Sequence, residues 1–70
     1  GYELTVKGQN TSGSDLAVSK GDRLYIDDGS GSLDDGDITP DDSNGVFIGY
    51  AYGAVSGGGS AEITVLIANN

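Results

Sequence analysis

Short runs of β-branched, aromatic and aliphatic residues, each bounded by glycine or small polar residues, constrain the fold of this chain most strongly. Residues 2–7 alternate apolar and polar side chains, and residues 61–68 are rich in Ile, Val and Leu. Alternation with a period of two and β-branched residues are typical of strands, and glycine clusters mark the turns between them. Amphipathic helical spacing is absent from the sequence. We therefore predict an all-β domain.

Five or six short strands, connected by long Gly/Asp-rich loops, are expected from this pattern. Strands of this length without helices fit a small single-domain β-barrel or a compact sandwich. The predicted strands are residues 2–7, 16–18, 23–27, 45–55 and 61–68.

Two local expectations follow from the middle of the chain. Residues 16–18 and 23–27 flank a tight Ser-Lys-Gly-Asp turn, which predicts a β-hairpin. Residues 45–55 are apolar almost throughout, so this strand is expected to be covered on both faces. Gly49 and Gly53 are expected to mark a bend or bulge within it.

The length of 70 residues predicts a single domain, 1–70, with a thin core. The glycine-rich stretch 56–60 is interpreted as a hairpin tip, because a strong strand follows it directly. The chain has no Cys and no His, which excludes disulfides and zinc-type sites. A domain of this size commonly needs a further source of stability, here oligomerisation, docking on a larger surface or an oxygen-ligated ion.

The charge balance narrows the possible partners. Three basic and eleven acidic residues give a formal net charge of −8. Nucleic acids and anionic membrane surfaces need clustered Lys and Arg, so neither is expected as a partner. The sequence holds no apolar run of the roughly 18 residues that a membrane-spanning helix requires. We expect a soluble protein.

An acidic loop, residues 27–45, carries most of the negative charge. A calcium site is one interpretation of this loop, because residues 35–38 resemble the middle of an EF-hand or dockerin loop. The register then fails, since Gly31 and Leu33 fall at ligand positions, and no helices flank the loop. No metal and no cofactor are predicted. The seven aspartates of this loop are Asp27, Asp28, Asp34, Asp35, Asp37, Asp41 and Asp42.

The preferred interpretation of the acidic loop is a solvated connection that faces solvent or a basic partner. Asp and Gly both favour turns, and repulsion among like charges keeps the segment extended. Leu33 and Ile38 are its apolar anchors, and Pro40 is a turn former. On this interpretation, replacing all seven aspartates with asparagine leaves the fold intact.

Enzymatic activity is not expected. The chain has no His, the usual general base, and no Cys, the usual strong nucleophile. Two carboxylates could catalyse glycoside hydrolysis, but they need a pocket for which a chain of 70 residues has little room. Aromatic residues instead suggest core or a subunit interface, although exposed aromatics in a row would also suit a glycan. The predicted partner or oligomer interface comprises Tyr2, Leu4, Phe47, Tyr50 and Tyr52.

Three short motifs follow one another along the chain, each occurring once. They are Val18-x-x-Gly21-Asp22-x-Leu24-Tyr25, Gly45-Val46-x-Ile48-Gly49-x-Ala51 and Ala61-x-Ile63-x-Val65-Leu66-Ile67. In this order, over residues 16–68, the sequence resembles the small all-β capsid decoration, or cement, proteins of tailed bacteriophages. The chain is shorter than many members of that family. Its loop between the second and third motif-bearing strands is also denser in acidic residues than the threonine- and alanine-rich connection that is usual in the family.

The resemblance implies a structural role in a virion. Its partners would be the major capsid protein and copies of the chain itself, in a symmetric oligomer on the outer surface of the capsid. No catalytic residues are carried over. A tail-fibre or oligomerisation domain of a virion is a further possibility. The alternative from another class is a calcium- or glycan-binding β module of a larger extracellular or surface protein.

Overall fold

Five β-strands make up the fold of residues 2–68, which are the residues that the computed structural model describes. Residues 1, 69 and 70, at the ends of the expected domain, lie outside the described residues. Between residues 2 and 68 there is no helix, and hence none that is long and apolar enough to cross a membrane. The strands are β1 (Tyr2–Lys7), β2 (Arg23–Asp27), β3 (Ile38–Thr39), β4 (Gly45–Ala51) and β5 (Ser60–Ile67).

The strands close into a small barrel in the order β1-β3-β2-β4-β5, with β5 returning to β1. All neighbours are antiparallel except β1 and β3, which run parallel and share the single pair Val6 and Ile38. The prediction of a small all-β fold is therefore confirmed. Of the two predicted architectures, a small barrel and a compact sandwich, the chain forms the barrel.

A compact apolar cluster fills the barrel. Leu4 and Ile63, cross-strand partners in β1 and β5, are half-buried and pack against it. Because inward and outward side chains alternate along a strand, each strand of the wall contributes few residues to this interior. The buried cluster comprises Val6, Val18, Leu24, Ile38, Ala51, Val55 and Val65.

The prediction of a β-hairpin between residues 16–18 and 23–27 is wrong. Val18 instead forms an isolated antiparallel bridge with Val55, in which each N–H donates to the other carbonyl over 2.9 Å. Both edges of β2 are occupied, one by β3 and the other by β4. Residues 16–18 therefore find their partner beyond β4.

The prediction that residues 45–55 are covered on both faces is also wrong. β4 ends at Ala51, and two of its large apolar side chains are exposed, Val46 at 73% and Tyr50 at 39% of full exposure. A barrel wall has only one inward face, and no second layer lies over the outside of β4 in the described structure.

The expected irregularity at Gly49 is confirmed. The pairing of β4 with β2 shifts register between Leu24 and Tyr25, which leaves Ile48 as an extra residue beside Gly49. A side chain at Gly49 would collide with the main chain of Leu66 in β5. Gly53, in contrast, lies in a bend after the strand has ended.

Candidate functional site

Three aromatic rings form a ladder on the outside of β2 and β4. The strand register pairs Tyr25 with Phe47, and their ring centroids are 5.9 Å apart at an interplanar angle of 61°. Tyr50 contacts the other side of Phe47, with centroids 5.4 Å apart at 74°. Both contacts have the edge-to-face geometry that the ring quadrupole favours. The three rings therefore hold one another in place on the barrel surface.

Two of the three basic side chains lie on aromatic rings beside this ladder. The Arg23 guanidinium is 5.2 Å from the centroid of Phe47, and the Lys20 ammonium is 4.1 Å from that of Tyr52. Cations above ring faces are attracted by about 0.5–1 kcal/mol at exposed sites. The turn that carries Lys20 is fastened to β4, because the N–H of Gly21 donates to the carbonyl of Ala51 over 2.7 Å.

These side chains together define the cation–aromatic face. Leu66 in β5 is paired with Tyr50, is 43% exposed and extends the apolar part of the face. Asp22 directly precedes Arg23 in the sequence. Its carboxylate accepts the Ser19 N–H over 2.8 Å. The face comprises Lys20, Arg23, Tyr25, Phe47, Tyr50, Tyr52 and Leu66.

The structure brings together part of the interface predicted from the sequence. Phe47, Tyr50 and Tyr52 share the cation–aromatic face, and none of them belongs to the buried core. Tyr2 is 69% exposed, but it pairs with the inward-facing Val65 at the end of the barrel and so lies off this face. Leu4, as described above, packs against the core.

Sequence reasoning missed the contribution of β2 and its preceding turn. Arg23 and Tyr25 alternate with the buried Leu24, so the period-two pattern already placed both on one outer face. Their contact with Phe47 depends on the pairing of β2 with β4, which the sequence does not encode locally. For Lys20 the sequence offers no such signal, because the residue lies in a turn.

Asp27 corrects the prediction that the seven aspartates of the acidic loop face solvent. Its side chain is fully buried, its Oδ2 accepts the Gly29 N–H over 2.8 Å, and its Oδ1 has no hydrogen-bond partner in the described chain. Its main chain closes the loop, with its N–H donating to the Asp37 carbonyl and its carbonyl accepting from Gly36. Asp27 is therefore a structural residue at the base of the loop.

Two other aspartates fasten the backbone around them. Asp28 accepts the Ser30 N–H over 2.8 Å, and hydrogen bonding from the side chain and then the main chain of Ser30 holds the pKa of Asp28 below its usual value. Asp41 accepts the N–H groups of Thr11 over 2.6 Å and Ser43 over 2.8 Å. Although burial raises the pKa of Asp41, these two donors lower it by more, to about 2. The bonds from Ser30 and Ser43 are local turn-forming bonds of the kind that makes aspartate common in loops, whereas the bond from Thr11 joins two distant segments.

The remaining aspartates of the acidic loop differ in whether their carboxylates accept hydrogen bonds. Asp37 accepts the Asp34 N–H over 3.0 Å and lies 4.0 Å from the Lys7 ammonium. Asp34, Asp35 and Asp42 are exposed, and their carboxylates accept no hydrogen bond within residues 2–68. Leu33 and Ile38 are buried, as predicted. The loop is thus an ordered set of turns with a few free carboxylates at its surface.

The described part of the chain encloses no pocket, and nowhere in it do three or more acidic side chains converge as metal ligands. A scan against protein-family models finds no match to this sequence. Searches of curated proteins and of solved structures find no significant match either. Function is therefore inferred from the cation–aromatic face and the acidic loop.

Proposed function

We propose that this protein is a non-enzymatic structural protein of a virion, a capsid decoration protein that binds the major capsid protein lattice on the outer surface of the head and stabilises it. The observation that carries the proposal is the cation–aromatic face, an exposed and preorganised contact surface on a very small barrel. The order of motifs that resembles decoration proteins supports the same role.

The composition of the face suits binding to another protein. Tyr and Arg are enriched in the centres of protein interfaces, where they supply most of the binding free energy. Here the rings of Phe47 and Tyr50 are already packed edge to face, and Arg23 is already placed on Phe47. Little side-chain freedom is then lost on docking, which favours affinity.

Attachment to a lattice also benefits the barrel itself. A core of this size supplies only about 3–5 kcal/mol, and binding to the folded state adds stability by mass action. Many copies on a repeating lattice make individually modest contacts effective. Cations already lie over the rings of Phe47 and Tyr52, which suits a protein partner better than a sugar. Calcium takes about six to eight oxygen ligands, and the Asp27 Oδ1, unpartnered within residues 2–68, supplies one. A single function is therefore proposed.

The test is reconstitution on virus particles. We expect peptides of this chain in purified virions, in a fixed ratio to the major capsid protein. Particles made without the chain should lose infectivity on heating sooner than normal particles, and adding the purified protein should restore their resistance. The variant Lys20→Gln/Arg23→Gln should bind the particles weakly and restore little, whereas Lys7→Gln, which alters a cation outside the face, should act as the wild type does.

Two results would overturn the proposal. One is the absence of the chain from purified particles. The other is equal heat resistance of particles with and without it, because a cement protein that adds no resistance has no cementing role.

A further inference from the structure

The barrel places its acidic loop and two of its three cations at opposite ends along the strand direction. Because β2 and β4 are antiparallel, Arg23 faces Tyr50 at one end of the pair and Asp27 faces Gly45 at the other. Four residue steps along β2, about 13 Å, separate these two ends. Lys20 and Arg23 lie at the first end, and the acidic loop leaves from the second. A protein with a net charge of −8 therefore still has one end, here called the cationic end, at which two cations, Lys20 and Arg23, flank a single acid, Asp22.

The cations at this end have no carboxylate partner within residues 2–68. The ion pair of the described chain joins Lys7 to Asp37 and involves neither Lys20 nor Arg23. Both are instead held over aromatic rings, which fixes their position and leaves their N–H donors open to a ligand. The face thus presents two positioned cations surrounded by apolar rings.

The acidic end offers the complementary groups. Most aspartates of the loop are occupied in turns or at its base, but Asp34, Asp35 and Asp42 are exposed and accept no hydrogen bond from the described chain. An arginine binds a carboxylate through two parallel, charge-assisted hydrogen bonds, which strengthen when neighbouring apolar groups exclude water. The same molecule therefore carries both halves of one contact, at opposite ends.

We propose that copies of this chain associate head to tail, with the acidic loop of one copy seated on the cation–aromatic face of the next. The inference rests on the proposed function and concerns the same face, which contacts the loop of a neighbouring copy where copies associate and the capsid protein where no copy occupies it. Contacts between two acidic ends place like charges together, and so do contacts between two cationic ends, so electrostatics select the head-to-tail orientation. Such a heterologous contact closes into a ring or extends as a filament, according to the rotation between copies.

The experiment measures self-association by sedimentation at about 0.1 M salt, where a Debye length of about 10 Å limits repulsion between the net charges. The face variant is Lys20→Gln/Arg23→Gln, and the loop variant is Asp34→Asn/Asp35→Asn/Asp42→Asn. The control for the face variant is Lys7→Gln. The control for the loop variant is Glu3→Gln/Asp15→Asn/Glu62→Gln, which removes the same number of exposed carboxylates from elsewhere.

A head-to-tail contact makes a specific prediction for mixtures. Wild type and both controls should grow beyond dimers as concentration rises, and the face and loop variants alone should associate about tenfold more weakly or worse. Mixed together, the two variants should form a one-to-one dimer and nothing larger, because each supplies one intact half of the contact. Unchanged circular dichroism of the variants shows that folding is not the cause.

Two outcomes would overturn the inference. A wild-type chain that stays monomeric at every concentration is one, and a loop variant that assembles as well as its control is the other. These results are separable from the fate of the proposed function. A chain that binds virus particles as a monomer refutes only the head-to-tail contact, whereas one that self-associates but does not occur on particles refutes only the decoration role.

Discussion

The aspartates of the acidic loop perform two different tasks, which residue type alone does not reveal. Asp27 and Asp41 accept backbone N–H groups in or near the barrel, and Asp27 is fully buried. Asp34 and Asp35 are exposed and leave their carboxylates free. Neutralising all seven aspartates is therefore expected to weaken the fold, in contrast to the expectation from sequence. The loss should come from the residues that accept backbone donors.

Asp41 gives the clearest test at this scale. Replacing Asp41→Ala leaves the N–H groups of Thr11 and Ser43 without their acceptor and should lower the free energy of unfolding by about 1–2 kcal/mol at neutral pH. The folded state lowers the pKa of Asp41 from 3.8 to about 2. The contribution of the Asp41 charge to the free energy of unfolding is therefore complete at a pH above the usual pKa, and it is lost as the pH falls through the pKa of the folded state. The stability difference should shrink near pH 2, as measured by urea unfolding.

Asp35→Ala is the matched control for this experiment. Asp35 is exposed, so its replacement should change stability by no more than about 0.5 kcal/mol at either pH. A loss for Asp41→Ala that is the same at neutral and acidic pH would contradict the assigned role of its charge.

At the scale of elements, Gly49 allows β4 and β5 to approach each other closely. A Cβ atom at Gly49 would meet the main chain of Leu66 and lie 2.9 Å from the Cα atom of Ile67. Glycine is needed here for close approach, since its φ is not in the left-handed region. The bulge at Ile48 lies beside this contact and turns the strand as the barrel closes.

Gly49→Ala should therefore destabilise the barrel by about 3 kcal/mol or more, because main-chain atoms cannot move aside as a flexible side chain does. Gly36→Ala is the comparison. Gly36 has open space around it but a φ of +95°, so its replacement should cost about 1 kcal/mol in backbone strain. Urea unfolding followed by circular dichroism measures both, and equal losses would refute the close-approach explanation.

At the scale of the whole molecule, the net negative charge is large for a barrel of these dimensions. The Cα atoms span 27 × 26 × 14 Å, and the net charge is −8. At about 0.01 M salt the Debye length is about 30 Å, so acidic groups repel one another across the entire barrel. Concentrating the acids at one end increases this repulsion locally and also leaves the other end free for the cations.

Screening should consequently stabilise the folded chain. Raising NaCl from about 0.01 M to about 0.1 M should raise the melting temperature by a few degrees, as measured by thermal unfolding of a dilute sample. Ca²⁺ and Mg²⁺ at matched ionic strength should raise it equally. A larger increase with Ca²⁺ alone would revive the calcium-binding module as the function.

Much of the fold was predictable because its signals are local. Residues 2–7 were predicted as a strand with the bounds that β1 has, and the strand predicted at 61–68 differs from β5 by one residue at each end. The pairing of Val18 with Val55 was not predictable, because it joins residues far apart in sequence. The exposed outer face of β4 was missed because an apolar run alone does not show whether a second layer covers it.

The amino-acid sequence by itself determined the fold class and the uneven charge, since alternation, glycine spacing and composition act through neighbouring residues. It also fixed Arg23 and Tyr25 on one side of their strand. Only the tertiary structure decided that this side meets Phe47 and that Asp27 is buried. It likewise placed Lys20 and Arg23 at the end opposite the acidic loop. The physical reason is that register and closure of a barrel depend on pairing between distant segments, and no local preference encodes that pairing.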